Sequence, residues 1–83
     1  KEYYESGKLL IEDTYTNGKE NGIKKVYYEN GSVEIENPYI DGKMNGFIKK
    51  YYESGKLKSE LLFTDDYMNG QTKNYDENGN EIK

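Results

Sequence analysis

Polar and apolar residues alternate with a period of two along this chain, in short runs broken by glycine, and the pattern recurs every 24 residues. Phe47, Lys49 and Tyr51 alternate with Ile48, Lys50 and Tyr52. After a break at Ser54-Gly55, Leu57, Ser59, Leu61 and Phe63 alternate with Lys58, Glu60 and Leu62. Two such runs around a short glycine-bearing break specify a β-hairpin, because successive strand residues point to opposite faces. A shift of 24 superposes Tyr3, Tyr27, Tyr51 and Tyr75, then Glu5, Glu29, Glu53 and Glu77, then Gly7, Gly31, Gly55 and Gly79. The same shift aligns Glu12, Glu36 and Glu60, and the pairs Asn21-Gly22, Asn45-Gly46 and Asn69-Gly70. A fixed period of this length marks a repeat array, in which each unit buries its apolar face only against its neighbours.

The expected fold is therefore all-β: an elongated antiparallel meander of β-hairpin repeats forming a single twisted sheet. One array occupies residues 1–83, with units at about 3–26, 27–50, 51–74 and a partial unit at 75–83. Strands are predicted near 3–5, 8–16, 23–29, 32–40, 47–53, 56–64 and 71–77, with a stub at 80–83. Tight turns are predicted at 6–7, 30–31, 54–55 and 78–79, and longer connections at 17–22 and 41–46. All nine glycines fall in connections of these two kinds, Gly70 in the third unit's counterpart of the longer ones. Asn30-Gly31 and Asn78-Gly79 suit a type I′ turn, which needs positive φ at both central residues.

A two-residue turn fixes the cross-strand partners. Tyr52 faces Leu57, Tyr51 faces Lys58, Lys50 faces Ser59 and Lys49 faces Glu60. The preceding unit gives Tyr28–Val33, Tyr27–Glu34, Val26–Ile35 and Lys25–Glu36. One face then collects Tyr28, Val26, Val33, Ile35 and Tyr39, with Tyr4, Leu9, Ile11 and Tyr15 before them and Tyr52, Leu57, Leu61 and Phe63 after. The other face carries Lys25–Glu36 and Lys49–Glu60 ion pairs flanked by Tyr27 and Tyr51. Exposed pairs of this kind contribute at most about 1 kcal/mol each, so their use is to set register and keep one face wet. The apolar stripe is expected to be partly buried along the concave side of the ribbon.

Composition sharpens this picture. With 83 residues, 33% of them hydrophobic, a single compact core would be marginal, and ten tyrosines at fixed phase suit half-buried strands instead. No stretch of ten apolar residues occurs, which excludes a membrane-spanning helix and a signal-peptide core within these residues. Without cysteine there is neither disulfide nor thiol chemistry. The net charge is −4, and all twelve basic residues are lysine. An acidic chain without arginine is a poor nucleic-acid binder, because phosphate contacts carry most of that affinity. The absence of Ala, Arg, His and Trp beside abundant Lys, Asn, Ile and Tyr points to AT-rich coding and a bacterial source. Opening at Lys1 inside a unit, the chain reads as a piece of a longer array.

The stretch Asp41-Gly42-Lys43-Met44-Asn45-Gly46, followed at constant spacing by Tyr51-Tyr52-Glu53-Ser54-Gly55-Lys56-Leu57, resembles the MORN repeat in its bacterial variant. The resemblance covers the whole chain, about three units and the start of a fourth. It departs from the pattern at Asp65-Asp66-Tyr67-Met68, where glycine and lysine are replaced. Aspartate can enter the left-handed region at some cost, so this loop is expected to keep its shape but to be the weakest joint. What the resemblance implies is a hairpin-repeat fold used for association. Such proteins are linked to protein–protein contacts and to phospholipid binding, and bacterial ones to antitoxin-like or immunity roles. No catalytic residue, cofactor or metal set comes with it.

The tyrosines have two readings, as an aromatic binding groove and as the fold's own core. Tyr3, Tyr27, Tyr51 and Tyr75, on the charged face beside Lys25 and Lys49, are the candidates for contact with a protein partner. Lys24-Lys25 and Lys49-Lys50 could attract anionic lipid, but recurring glutamates cancel their field. Carboxylates are plentiful, yet a repeat gives each the same environment, whereas acid–base catalysis needs two different ones. An enzyme is not expected. Open edge strands invite weak self-association, opposed by the net negative charge.

Overall fold

A computed structural model describes residues 1–82. It is all-β, a meander of antiparallel hairpins in one open sheet, with no helix among the described residues. The strands are β1 (Glu2–Tyr3), β2 (Leu9–Glu12), β3 (Tyr15–Thr16), β4 (Lys19–Glu20), β5 (Gly22–Tyr27), β6 (Val33–Ile40) and β7 (Lys43–Met44). Then follow β8 (Gly46–Tyr51), β9 (Leu57–Thr64), β10 (Tyr67–Met68), β11 (Lys73–Tyr75) and β12 (Glu81–Ile82). The main path through the sheet is β1-β2-β5-β6-β8-β9-β11-β12. β7 and β10 pair with the far ends of β6 and β9, while β3 and β4 form a separate two-stranded ribbon. The predicted strand 8–16 is thus split at Asp13-Thr14, and the stub at 80–83 is seen as Glu81–Ile82, Lys83 lying outside the described residues.

The molecule measures 40 × 35 × 13 Å, the thickness of one layer. No second sheet or helix covers either face, so no residue is fully buried among those described. Shelter comes only from neighbouring strands, and the apolar positions of β6 and β9 are half-buried, except the exposed Ile40 at the end of β6.

Turn chemistry differs from the expectation at both kinds of connection. At the tight turns the loop has three residues, not two. Gly55 N–H donates to the Tyr52 carbonyl at 2.9 Å, and Tyr52 N–H donates to the Lys56 carbonyl at 2.9 Å. Only the glycine has positive φ, +93° at Gly55, and Asn30 does not. This is a type I turn closed by a glycine bulge, and the same bonds recur around Gly7, Gly31 and Gly79. Ser6 and Ser54 precede the glycine in two units, and serine is a poor occupant of the positive-φ position that a type I′ turn would demand.

The type I′ turns lie in the other connections. Asn17 and Gly18 have φ of 53° and 82°, Asp41 and Gly42 of 50° and 85°, and Asp65 and Asp66 of 49° and 71°. Each closes a two-residue hairpin, as in the pairing of Ile40 with Lys43. A two-residue bulge at Asn45-Gly46 follows, with Asn45 N–H bonded to the Pro38 carbonyl at 3.0 Å. Asn21 and Asn69 repeat the bond, to Thr14 and Leu62, at 2.8 Å each. The expected six-residue connection is therefore a tight turn plus a bulge.

The altered third loop keeps its shape, as expected; it repeats the Asn21–Asp41 side-chain bond and adds one through Asp66. Asp66 Oδ1 accepts from Met44 N–H at 2.7 Å, and Asp65 Oδ1 accepts from Asn45 Nδ2 at 3.0 Å. Replacing Asp66 by alanine keeps the left-handed strain and deletes the bond. It should destabilise the chain by about 1 kcal/mol in urea titration. Asp66→Gly, which relieves strain while losing the same bond, should be nearly neutral.

Register follows the expectation away from the tight turns and departs from it beside them. Lys49 pairs with Glu60 and Lys50 with Ser59, but Tyr51 pairs with Leu57, leaving Lys58 as a bulge residue. Tyr27 likewise pairs with Val33 and Tyr3 with Leu9. The longer loop and the bulge offset one another, so only the residues between them change face. Leu9, Val33 and Leu57 join the face of Tyr3, Tyr27 and Tyr51 rather than that of Ile11, Ile35 and Leu61.

Candidate interaction surface

Across the middle of the sheet one row of side chains alternates in charge from edge to edge. The pairings run Glu12–Lys25, Lys25–Glu36, Glu36–Lys49, Lys49–Glu60 and Glu60–Lys73. The 24-residue period with one Lys and one Glu per unit produces this ladder, once the strands adopt a common register. The expected ion pairs are not closed, however. Among the described residues the one ion pair is Lys1–Glu12, at 3.9 Å and exposed. The carboxylates are instead taken up by tyrosines of the following unit. Tyr27 Oη donates to Glu12 at 3.1 Å, Tyr51 Oη to Glu36 at 2.6 Å and Tyr75 Oη to Glu60 at 3.2 Å.

The candidate contact residues therefore differ among themselves. Tyr3 is exposed, with 59% of its surface open and no partner for its hydroxyl among the described residues. Tyr27, Tyr51 and Tyr75 are half-buried and commit their hydroxyls to glutamate. Lys25 and Lys49 stand half-buried within the ladder. The structure brings all six onto one face. Between hairpins this face is grooved. One groove of about 390 Å³ is lined by Lys8, Leu9, Tyr27, Asn30 and Gly31. Its equivalent two units on, about 430 Å³, is lined by Lys56, Leu57, Tyr75, Asn78 and Gly79.

Burial pushes the Tyr51 phenol up to about 12, helped by its bond to Glu36 and by the charges of Glu36 and Glu60. Tyr27 and Tyr75 are raised for the same reasons, burial first and then Glu12 or Glu60. The neutral phenol is the form that donates, and its folded pKa lies above the ordinary 10.0. Its contribution is thus complete below pH 10 and is lost as pH rises through about 12 for Tyr51. Tyrosinate absorbance of the folded chain should lag that of the urea-unfolded chain. Glu36→Gln, which keeps an acceptor but removes the charge, should bring part of the lag forward. Superimposable titrations of the folded and unfolded chains would mean that the Tyr–Glu bonds do not persist in solution.

Sequence reasoning missed two residues on this face. Ile23 and Phe47 occupy equivalent positions, two residues before Lys25 and Lys49 in the same strands, and each leaves 51% of its surface exposed. Period-two alternation from Tyr27 and Tyr51 could have placed them here. Phe47 borders a groove of about 250 Å³ with Leu62, Asn69, Gly70 and Gln71.

The opposite face carries the second tyrosine set. Tyr4 Oη donates to the Tyr27 carbonyl at 2.6 Å, Tyr28 Oη to the Tyr51 carbonyl at 2.6 Å and Tyr52 Oη to the Tyr75 carbonyl at 2.7 Å. Each unit is stitched to its successor by a phenol on a backbone oxygen. The aromatic groups expected to be core are therefore also the fasteners between units.

Comparison with protein families matches the model described as MORN repeat variant to residues 1–17, 20–41 and 45–65. Neither the curated proteins nor the solved structures returned a match.

Proposed function

Since the chain belongs to the family of MORN repeat variants, we propose that it is a non-catalytic repeat module that binds a protein partner through the ladder face of its sheet. Repeats of this family are generally associated with protein–protein or membrane-lipid interaction. The observation that carries the protein reading is the pairing of Ile23 and Phe47, half-exposed, with a row in which every lysine lies between glutamates or beside one. Exposed apolar groups beside polar ones of mixed sign suit the mixed surface of a protein partner. Anionic lipid headgroups favour clustered lysine instead, and the net charge of −4 opposes them. The Tyr–Glu bonds give the ladder carboxylates one shared environment, which supports a binding role over acid–base chemistry.

A photo-crosslinker at position 47, on the ladder face, should give a discrete protein adduct in the host cell. The same group at the exposed position 50, on the opposite face, should not. Anionic liposomes should leave the chain in the supernatant. Equal labelling from both faces, or co-sedimentation with the liposomes, would overturn the reading.

A further inference from the structure

The two edges of the sheet differ in what they offer to another strand. At every junction inside the array the earlier unit presents a tyrosine hydroxyl and a glutamate. The later unit presents a carbonyl, a tyrosine hydroxyl and a lysine. Tyr28 and Glu36 thus meet the Tyr51 carbonyl, the Tyr51 hydroxyl and Lys49. The β1 edge carries the whole receiving set. Tyr3 stands at the position of Tyr51 and Lys1 at that of Lys49, 48 residues earlier, and the Tyr3 hydroxyl has no partner among the described residues.

The opposite edge lacks the matching gift. In the fourth unit the position of Tyr4, Tyr28 and Tyr52 is held by Asp76. Its Oδ1 turns inward and accepts from Asn78 N–H and Asn80 N–H, each at 2.9 Å, bracing its own turn. A carboxylate has no proton to donate, so a following unit would set its backbone carbonyl against an acceptor.

We propose that the array is directional: the β1 edge is an interaction surface for a further unit of this same repeat, while Asp76 closes the other edge. The partner is defined by its chemistry. It is a hairpin that brings a tyrosine hydroxyl to the Tyr3 carbonyl and a glutamate to Tyr3 Oη and Lys1.

The test lengthens the full chain at either end without breaking the period. One variant carries a copy of residues 25–48 before Lys1, and another carries a copy of residues 36–59 after Lys83. The first should raise the urea midpoint and slow hydrogen exchange at the Glu2 and Tyr3 amides by about tenfold. The second supplies a ladder glutamate but meets Asp76 where a phenol is needed, so it should raise the midpoint less than the first, and adding D76Y to it should make up the difference. D76Y in the chain without an extension should give no rise, because it only removes the brace on the fourth turn. Circular dichroism of each variant reports whether the added unit adopts strand. Equal gains at both ends, no gain at the β1 end, or no rescue by D76Y would each overturn the proposal.

Discussion

Replacing Gly46 by alanine should destabilise the protein by about 2–4 kcal/mol, the largest loss expected from adding a single methyl group. Two penalties combine there. Gly46 has φ of +119°, a conformation that L side chains rarely adopt, and an added Cβ would lie 3.1 Å from Cγ and 3.4 Å from Cβ of Pro38. Pro38 cannot easily retreat, because its ring is rigid and its carbonyl is bonded to Asn45. Gly31 provides the comparison. It has φ of +94° with nothing within 4 Å of the added carbon, so alanine there meets strain alone and should cost about 1–2 kcal/mol. Urea titration at unchanged slope measures both. In a double-mutant cycle, Pro38→Ala should recover the steric part of the Gly46→Ala loss. If Gly31→Ala and Gly46→Ala prove equal, the Pro38 contact has no energetic role.

Removing the hydroxyls of Tyr28 and Tyr52 together should cost about 2 kcal/mol, one hydrogen bond of about 1 kcal/mol at each of two junctions. The two sites lie one unit apart and share no partner, so the losses should add. For a domain whose whole stability is of the order of 5–15 kcal/mol, that is a substantial fraction. Tyr39→Phe is the control. Tyr39 makes no side-chain hydrogen bond among the described residues, and the next unit already carries Phe63 at that position. It should leave the urea midpoint where it is. An equal loss from Tyr39→Phe would mean that the ring environment, and not the phenol-to-carbonyl bond, sets the stability.

Much of the architecture was legible from periodicity. Alternation in residues 47–63 placed β8 and β9, and the Lys49–Glu60 and Val26–Ile35 pairings were found as expected. Turn type was not read correctly, since Asn-Gly satisfies both a type I′ turn and a turn closed by a glycine bulge. The discriminating signal was nonetheless present. Ser54-Gly55 demands positive φ only of its glycine, whereas Asn17-Gly18, Asp41-Gly42 and Asp65-Asp66 offer it at both positions. From that one substitution of turn type the displacement of Leu57 and Val33 to the other face follows. The ladder itself was visible in outline, but the competition for its carboxylates was not. Alternation says which side chains share a face; it does not say that the Tyr51 hydroxyl reaches Glu36 more closely than Lys49 does.

A layer 13 Å thick without one fully buried residue among those described also has a thermal consequence. The heat capacity of unfolding grows with the apolar surface newly exposed to water, typically about 12–15 cal/mol/K per residue. In this sheet most apolar side chains already meet solvent on one side, so the chain should fall below that range. A small heat capacity flattens the dependence of stability on temperature. The protein should therefore neither gain much on cooling nor lose much on mild warming, and its calorimetric melting should be broad, with a low baseline step.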